Sequence, residues 1–172
     1  ASTRVDEMES AVRTICEPYN ARGGTWSRDG VIVFGSQAGG LFTVSANGGP
    51  PTPLTSLQGE GSHRMPSFLP DGRHFLYWAT PSNTILLGSL DSKETTRLLS
   101  ATAQAVYVAP GSLLFVRQGT LMAQPFDARR GTLTGEAVPV AERVLVDGGG
   151  GGAAAFAASA GGVCLCAQIW SV

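Results

Sequence analysis

The chain has 172 residues, of which 43% are hydrophobic and 15% are charged, with 23 glycines, 10 prolines and a net charge of −1. This composition excludes a largely disordered chain and predicts one domain with many turns and little long helix. With a net charge near zero, the chain has no basic surface field for nucleic acid or an anionic membrane. The sequence shows no signal peptide and no apolar run of the ~18 residues that span a membrane. We therefore expect a soluble chain.

The first predicted element is half of a repeating unit, over residues 1–20. Residues 3–6 are interpreted as its third strand and residues 11–16 as its outer strand. The alternative is an amphipathic helix over residues 5–16, whose apolar face would carry Val5, Met8, Val12 and Ile15.

The first complete unit covers residues 21–57. The sequence Trp-Ser-Arg-Asp-Gly at 26–30 predicts a tight turn, and it leads into the apolar strand 31–34. A third strand over 41–45 ends at Asn-Gly-Gly-Pro, and a short outer strand follows at 52–55.

Two further units repeat this order over residues 63–101 and 103–144. Their turns lie at 68–72 and 108–111, and each turn precedes an apolar strand. The last unit, over residues 153–172, is again a half: a glycine turn at 161–162 leads into Val-Cys-Leu-Cys. The glycine run 148–152 is expected to be a flexible linker.

The turn glycines recur roughly 40 to 50 residues apart, which is the period of β-propeller blades. We therefore predict an all-β fold: a partial β-propeller of about four four-stranded antiparallel blades. The terminal half units would combine as one blade equivalent. Trp26, Phe68 and Val108 are predicted to be equivalent residues buried between blades.

Four segments resemble a known family: residues 23–34, 62–77, 87–94 and 119–127 are similar to bacterial WD-repeat-like (TolB-like) propellers. Such propellers are often the C-terminal sensor region of bacterial serine/threonine protein kinases. The resemblance implies a propeller fold, a bacterial origin, and a binding or sensing role without catalytic residues, because the kinase chemistry lies in another domain. Those propellers run longer than this chain, which is therefore interpreted as a fragment of a larger protein.

Arg22 and Arg64 occupy matching positions just before the innermost strands, so they are expected on the same rim of the propeller channel. Two guanidinium groups there would bind a small anionic ligand through a carboxylate or phosphate. The alternative is that each pairs with a carboxylate or carbonyl of a neighbouring blade. His63, at the start of an innermost strand, is the third candidate for ligand binding; its alternative is a hydrogen-bonded contact between blades.

Cys164 and Cys166 alternate along one strand and so point to the same face, where two thiolates could contribute to a zinc site. Zinc prefers four ligands, and buried inert thiols are the alternative. His74, Asp29 and Asp71 belong to turns, where the aspartates are expected to cap their own turn and the histidine to be solvated.

Two functions remain open from the sequence. The first is a non-catalytic β-propeller interaction or sensor module without a cofactor, which binds a protein or a small anionic ligand. The second is a small hydrolase of ester or phosphoester substrates, with zinc or an Arg/His pocket at the channel. An open arc of blades would expose apolar sheet faces, so we expect a homo-oligomer, a dimer that completes a propeller ring.

Overall fold

The computed structural model describes residues 20–159 and 162–165, and no helix occurs among them. The all-β prediction is therefore confirmed for this part of the chain. The predictions for residues 1–19 and 166–172 lie outside the described residues. No helix long and apolar enough to cross a membrane was found in the described ranges.

The described strands form three antiparallel sheets and a hairpin in chain order. Sheet 1 consists of β1 (Ala21–Trp26), β2 (Val31–Ser36), β3 (Phe42–Ser45) and β4 (Thr52–Pro53). Sheet 2 consists of β5 (Ser62–Phe68), β6 (His74–Thr80), β7 (Thr84–Ser89) and β8 (Thr96–Ser100). Sheet 3 consists of β9 (Ala105–Val108), β10 (Ser112–Arg117), β11 (Thr120–Asp127), β12 (Thr132–Leu133) and β13 (Val138–Ala141). The hairpin pairs β14 (Phe156–Ser159) with β15 (Gly162–Leu165).

Each sheet is a meander, in which neighbours in sequence are neighbours in space. Sheet 3 departs from the predicted four strands, because β11 pairs with β12 at one end and with β13 further along. The first strands of successive units contact one another, β1 with β5, β5 with β9 and β9 with β14. This contact pattern makes them the inner strands of a radial arrangement.

The predicted turns between first and second strands form, although two different side chains stabilise them. In sheet 2 the Asp71 carboxylate accepts the backbone N–H groups of Arg73 (2.9 Å) and His74 (3.0 Å). In sheet 1 the Ser27 hydroxyl accepts the N–H of Val31 at 3.1 Å. Gly30 and Gly72 both adopt positive φ, of 76° and 69°, which an Asp-Gly turn requires of its glycine.

Three apolar clusters form the core, one between each pair of successive layers. The β6 sequence Phe-Leu-Tyr-Trp-Ala contributes to two of these clusters, because its successive side chains point to opposite faces of sheet 2. Phe75, Tyr77 and Ala79 pack toward sheet 1, while Leu76 and Trp78 pack toward sheet 3. A strand buried on both faces needs such a continuous apolar run, which explains why β6 shows no polar alternation.

The prediction that Trp26 is buried between blades is wrong, because its side chain is 61% exposed. Trp26 pairs with Ile32, whereas the neighbouring pair Thr25 and Val33 faces sheet 2. Since successive residues of a strand face opposite sides, Trp26 points away from sheet 2. Among the described residues no sheet packs against that face.

Phe68 lies between sheets 1 and 2, where we predicted a buried residue, but it is only partly buried against their cluster. Val108 is not its equivalent: it packs on the opposite face of sheet 3, against the cluster that includes Phe156. Tyr107 takes the equivalent position, on the face toward sheet 2. Tyr107 lies four residues before its turn glycine, as Trp26 and Phe68 do, whereas Val108 lies three residues before Gly111. A shift of one residue exchanges the two faces of a strand.

Candidate functional site at the inner rim

The inner strands of sheets 1 and 2 carry the same β-bulge. In β1 the register shifts between Ala21 and Gly24, and in β5 it shifts between Arg64 and Ser67. Gly23 and Met65 occupy the matching position with φ of 82° and 52°. A Cβ on Gly23 would lie 2.7 Å from Met65 Sδ and 2.9 Å from Met65 Cα, so the two bulges pack directly on each other. Bulges often re-aim a side chain in this way.

An arginine lies in or next to each bulge, and the backbones of Arg22 and Arg64 lie close together, while their role in binding an anion stays a prediction. Their backbones pack on Gly35, where an added Cβ would lie 3.0 Å from both Arg22 O and Arg64 Cα. Burial, and secondarily the positive charge of Arg22, lower the pKa of the Arg64 guanidinium.

Arg64 donates every one of its guanidinium nitrogens to an uncharged oxygen. Nε donates to Ser62 Oγ at 2.7 Å, Nη2 to the carbonyl of Gln37 at 3.0 Å, and Nη1 to the carbonyl of Gly150. Gln37 belongs to the β2–β3 connection and Gly150 to the segment before β14. Arg64 thus links sheet 1, sheet 2 and the segment before β14 through hydrogen bonds. Contact with a carbonyl of a neighbouring blade was the predicted alternative to anion binding.

Arg22 has a different environment, although it occupies the equivalent position. Its Nε is buried and has no hydrogen-bond partner. No ion pair of Arg22 or Arg64 with a carboxylate occurs in the described part of the chain. Arg22 therefore differs from Arg64 in having a buried Nε without a partner among the described residues.

The glycine run before β14 is a hydrogen-bonded loop rather than the flexible linker that we expected. The Asp147 carboxylate accepts the N–H groups of Gly149 and Gly151, both at 3.0 Å. Gly152 is buried against Trp78, and its carbonyl accepts the N–H of Gln104 at 2.8 Å. We call Arg22, Arg64, Gln104 and the loop 147–152 the inner rim.

Sequence reasoning missed Gln104 and Asp147. No repeat spacing marks Gln104, because it lies seven residues before Gly111, whereas Arg22 and Arg64 lie eight residues before Gly30 and Gly72. The Gln104 side chain holds Ala154, which donates its N–H to Gln104 Oε1 at 2.7 Å. Asp147 has no repeat partner either, and its role depends on the glycine loop, which the sequence does not predict.

His63 does not join the two arginines. Because it neighbours Arg64 on one strand, the two side chains leave β5 on opposite faces. His63 is 2% exposed and lies between sheets 1 and 2, where Nδ1 is 2.8 Å from Thr55 Oγ1. Thr55 Oγ1 also accepts the N–H of Leu41 at 2.8 Å.

Nε2 of His63 is buried and has no hydrogen-bond partner. The nearest carboxylate oxygen, Glu60 Oε2, lies 3.9 Å from it. Burial lowers the pKa of His63, and the nearby Glu60 opposes this effect. Tyr77, whose ring centroid is 4.7 Å from that of His63, has its pKa raised to about 12, chiefly by burial. This is the hydrogen-bonded contact between blades that was the alternative for His63.

The second histidine lies in the β5–β6 turn, where His74 Nδ1 is 2.5 Å from Asp71 Oδ2. Cys164 pairs through its backbone with Ala157 in the hairpin, and Cys166 lies outside the described residues, so the zinc prediction is untested. In the described part of the chain, no group of three or more His, Cys, Asp or Glu side chains is placed to hold a metal ion.

No family model matches this chain, and no curated protein matches it. Among solved structures it is similar to a chain of the "Crystal structure of Nidogen/Laminin Complex", with a TM-score of 0.55 and 18% identity. The match covers 71% of this chain and 48% of that chain, so this chain spans about half of its length. The matched domain is a propeller.

The fold is a partial β-propeller. At 18% identity the similarity shows the fold alone, and the fold does not determine what the chain binds.

Proposed function

We propose that this chain is a non-catalytic interaction module whose first partner is a second copy of itself. The observation that carries the proposal is the exposed side chain of Trp26, on the face of sheet 1 that points away from sheet 2. Ile32, Phe34 and Phe42 lie on the same face, where Phe34 is only 8% exposed and its ring stacks on that of Phe42 with centroids 5.8 Å apart. A tryptophan that is 61% exposed on an apolar sheet face is typical of a surface that a partner covers.

The repeat indicates what that partner is. In sheets 2 and 3 the residues equivalent to Trp26 are Phe68 and Tyr107, and each packs against the preceding sheet. Trp26 is built for the same contact. A second copy that presents its last sheet to this face would continue the radial arrangement and complete a ring of about eight blades, within the range known for propellers.

A wider role follows from the fold and the resemblance. Propellers commonly present binding surfaces on a rigid ring, and the similar solved structure is a complex between two proteins. Residues 23–34 and 62–77 resemble the sensor propellers of bacterial kinases, so we propose that the module belongs to a larger bacterial protein. No described side-chain arrangement favours the hydrolase.

The proposal is tested by the mass in solution of the Trp26→Asp variant, measured by light scattering at micromolar concentration. Wild type is expected at twice 17.8 kDa, and the variant is expected at 17.8 kDa because a carboxylate on this face opposes its burial. The matched control is Val138→Asp, which changes a side chain 55% exposed on β13 and leaves the mass unchanged. A monomeric wild type, or equal masses for wild type and Trp26→Asp, would contradict the proposal.

A further inference from the structure

A cleft of about 620 Å³ opens between sheets 2 and 3, at the end of the sheets where first strands turn into second strands. Leu69 and Phe126, both 2% exposed, form its floor, and the partly buried Tyr107 lines one side. Two exposed prolines, Pro70 and Pro110, also line it. The volume lies within the ~300–1,000 Å³ of sites that hold small molecules, and apolar and aromatic walls are typical of such sites.

The corresponding junction between sheets 1 and 2 is bridged by an arginine. Arg28 lies two residues before the turn glycine of sheet 1, and its Nη2 donates to the carbonyl of Pro70 in sheet 2 at 2.7 Å. In sheet 2 the residue two positions before the turn glycine is Pro70 itself, whose short ring carries no donor for such a bridge. The junction between sheets 2 and 3 therefore lacks this bridge, and the cleft stays open.

The Tyr107 ring is held in a fixed position beside the cleft. Its hydroxyl donates to the carbonyl of Pro110 at 3.1 Å, and its ring meets that of Phe126 edge to face with centroids 6.4 Å apart. The hydroxyl is thus satisfied within sheet 3. An aromatic wall that is already fixed loses little entropy on binding, and it favours a flat apolar group such as a second ring.

Two of the three charged side chains that line the cleft are carboxylates whose charge is already offset. Asp71 accepts two N–H groups of its own turn, and its Oδ2 lies 2.5 Å from His74 Nδ1. Asp127 likewise accepts two N–H groups of its own turn, and its Oδ2 lies 3.6 Å from Arg130 Nε. Hydrogen bonds of this kind stabilise the negative charge where it is.

The third charged side chain is Arg129, which differs from both carboxylates. It is exposed, and its guanidinium group makes no hydrogen bond or ion pair within residues 20–159 and 162–165. An incoming group can therefore reach all of its donors. The cleft thus presents an accessible cation beside an aromatic and apolar surface, which is complementary to a ring that carries a carboxylate.

We propose that this cleft binds an aromatic carboxylate, with the ring against Tyr107 and the apolar floor and the carboxylate on Arg129. The two carboxylate oxygens accept two parallel N–H groups, the bidentate geometry that a guanidinium group prefers. A free aromatic acid and the C-terminal aromatic residue of a protein chain share this chemistry. The cleft contains no residue of the Trp26 face, so binding does not depend on ring completion.

The test is an NMR titration of the ¹⁵N-labelled full chain at one pH and one ionic strength. Phenylacetate represents the free acid and N-acetyl-phenylalanine the end of a protein chain. At least one of them should shift the backbone amides of Ala128 and Arg129 saturably, with a dissociation constant on the order of 1 mM. The amide of Gly119, in the turn at the opposite end of sheet 3, should stay in place. The acid that binds more tightly names the source of the ligand.

The charge of the ligand is tested on the same unmodified protein. Phenylacetamide is neutral and should bind about tenfold more weakly than phenylacetate, because it forms no charge-assisted hydrogen bonds with Arg129. Phenethylamine carries the same ring on a cation and should bind more weakly still. Absence of saturable shifts with both acids, equal affinity for acid and amide, or tighter binding of phenethylamine would overturn the proposal.

Two neighbouring arginines provide a matched pair of variants. Arg129→Gln should weaken phenylacetate binding about tenfold and abolish its advantage over phenylacetamide. Arg130→Gln makes the same change of charge one residue away, at a side chain that does not line the cleft, and should retain the affinity of wild type. Equal losses in the two variants would indicate a general effect of charge and would contradict the assignment of Arg129.

Discussion

At the scale of single residues, His63 shows how burial converts a titratable group into a structural one. Its Nδ1 is satisfied by Thr55, and its Nε2 lies in an apolar contact between sheets 1 and 2. Protonation would place a positive charge in this buried contact, where the Glu60 carboxylate at 3.9 Å is the group that would stabilise it. The neutral ring is thus the form that the folded protein stabilises.

The expected consequence is a loss of stability in mild acid. The pKa of His63 is lowered below its ordinary 6.5, so the unfolded chain takes up a proton before the folded chain does. Stability from this group is complete above about pH 6.5 and falls as the pH drops from there toward the lowered pKa. Urea midpoints of wild type measured between pH 7.5 and 5 should therefore decrease.

His63→Gln should remove most of that decrease, whereas the exposed turn variant His74→Gln should retain it. Glu60, Asp71 and Asp91 have pKa values lowered from ordinary values of 4.5, 3.8 and 3.8, so their contributions are lost only at lower pH. A wild-type midpoint that stays constant over this range would contradict the burial argument.

At the scale of elements, the loop 147–152 acts as a brace across the inner strands. It accepts hydrogen bonds from Arg64 and Gln104, and Gly152 lies flat against the Trp78 ring. A Cβ on Gly152 would be 2.5 Å from Trp78 Cε3, whereas one on Gly150 would meet nothing within 4 Å. Both glycines have positive φ, of 83° and 71°, so they differ mainly in the space around them.

These two glycines provide a matched pair of variants. Gly150→Ala should cost about 1–2 kcal/mol in free energy of unfolding, because alanine is strained at positive φ. Gly152→Ala should cost about 1–3 kcal/mol more, because the ring of Trp78 must also move. Chemical denaturation of both variants measures the difference, and equal destabilisation would show that the loop does not pack on Trp78.

The elements also show how far the sequence is predictive. Turn chemistry and apolar runs placed the main strands, because Asp-Gly turns and runs such as Phe-Leu-Tyr-Trp-Ala carry local information. The face of Val108 was misjudged because it lies one residue nearer to its turn glycine than Trp26 and Phe68 do, and a shift of one residue exchanges the two sides of a strand. Trp26 was misjudged because burial depends on the neighbouring layer, which the strand's own residues do not specify.

The candidate site divides in the same way. The adjacency of Arg22 and Arg64 followed from their matching positions in two units. Their different hydrogen bonding did not, because it depends on Ser62 of β5, Gln37 of the β2–β3 connection and Gly150 of the loop 147–152. His63 was grouped with them by sequence proximity, although neighbouring residues of a strand face opposite sides.

At the scale of the whole molecule, the account rests on a partial propeller that becomes a closed ring in a dimer. Small-angle X-ray scattering measures the mass and the radius of gyration together, in solution and without a substitution. The account predicts twice the 17.8 kDa mass and a radius of gyration of about 20 Å, as for a compact body of that size. A mass of 17.8 kDa with a radius of about 16 Å, or a dimer much more extended than a ring, would contradict it.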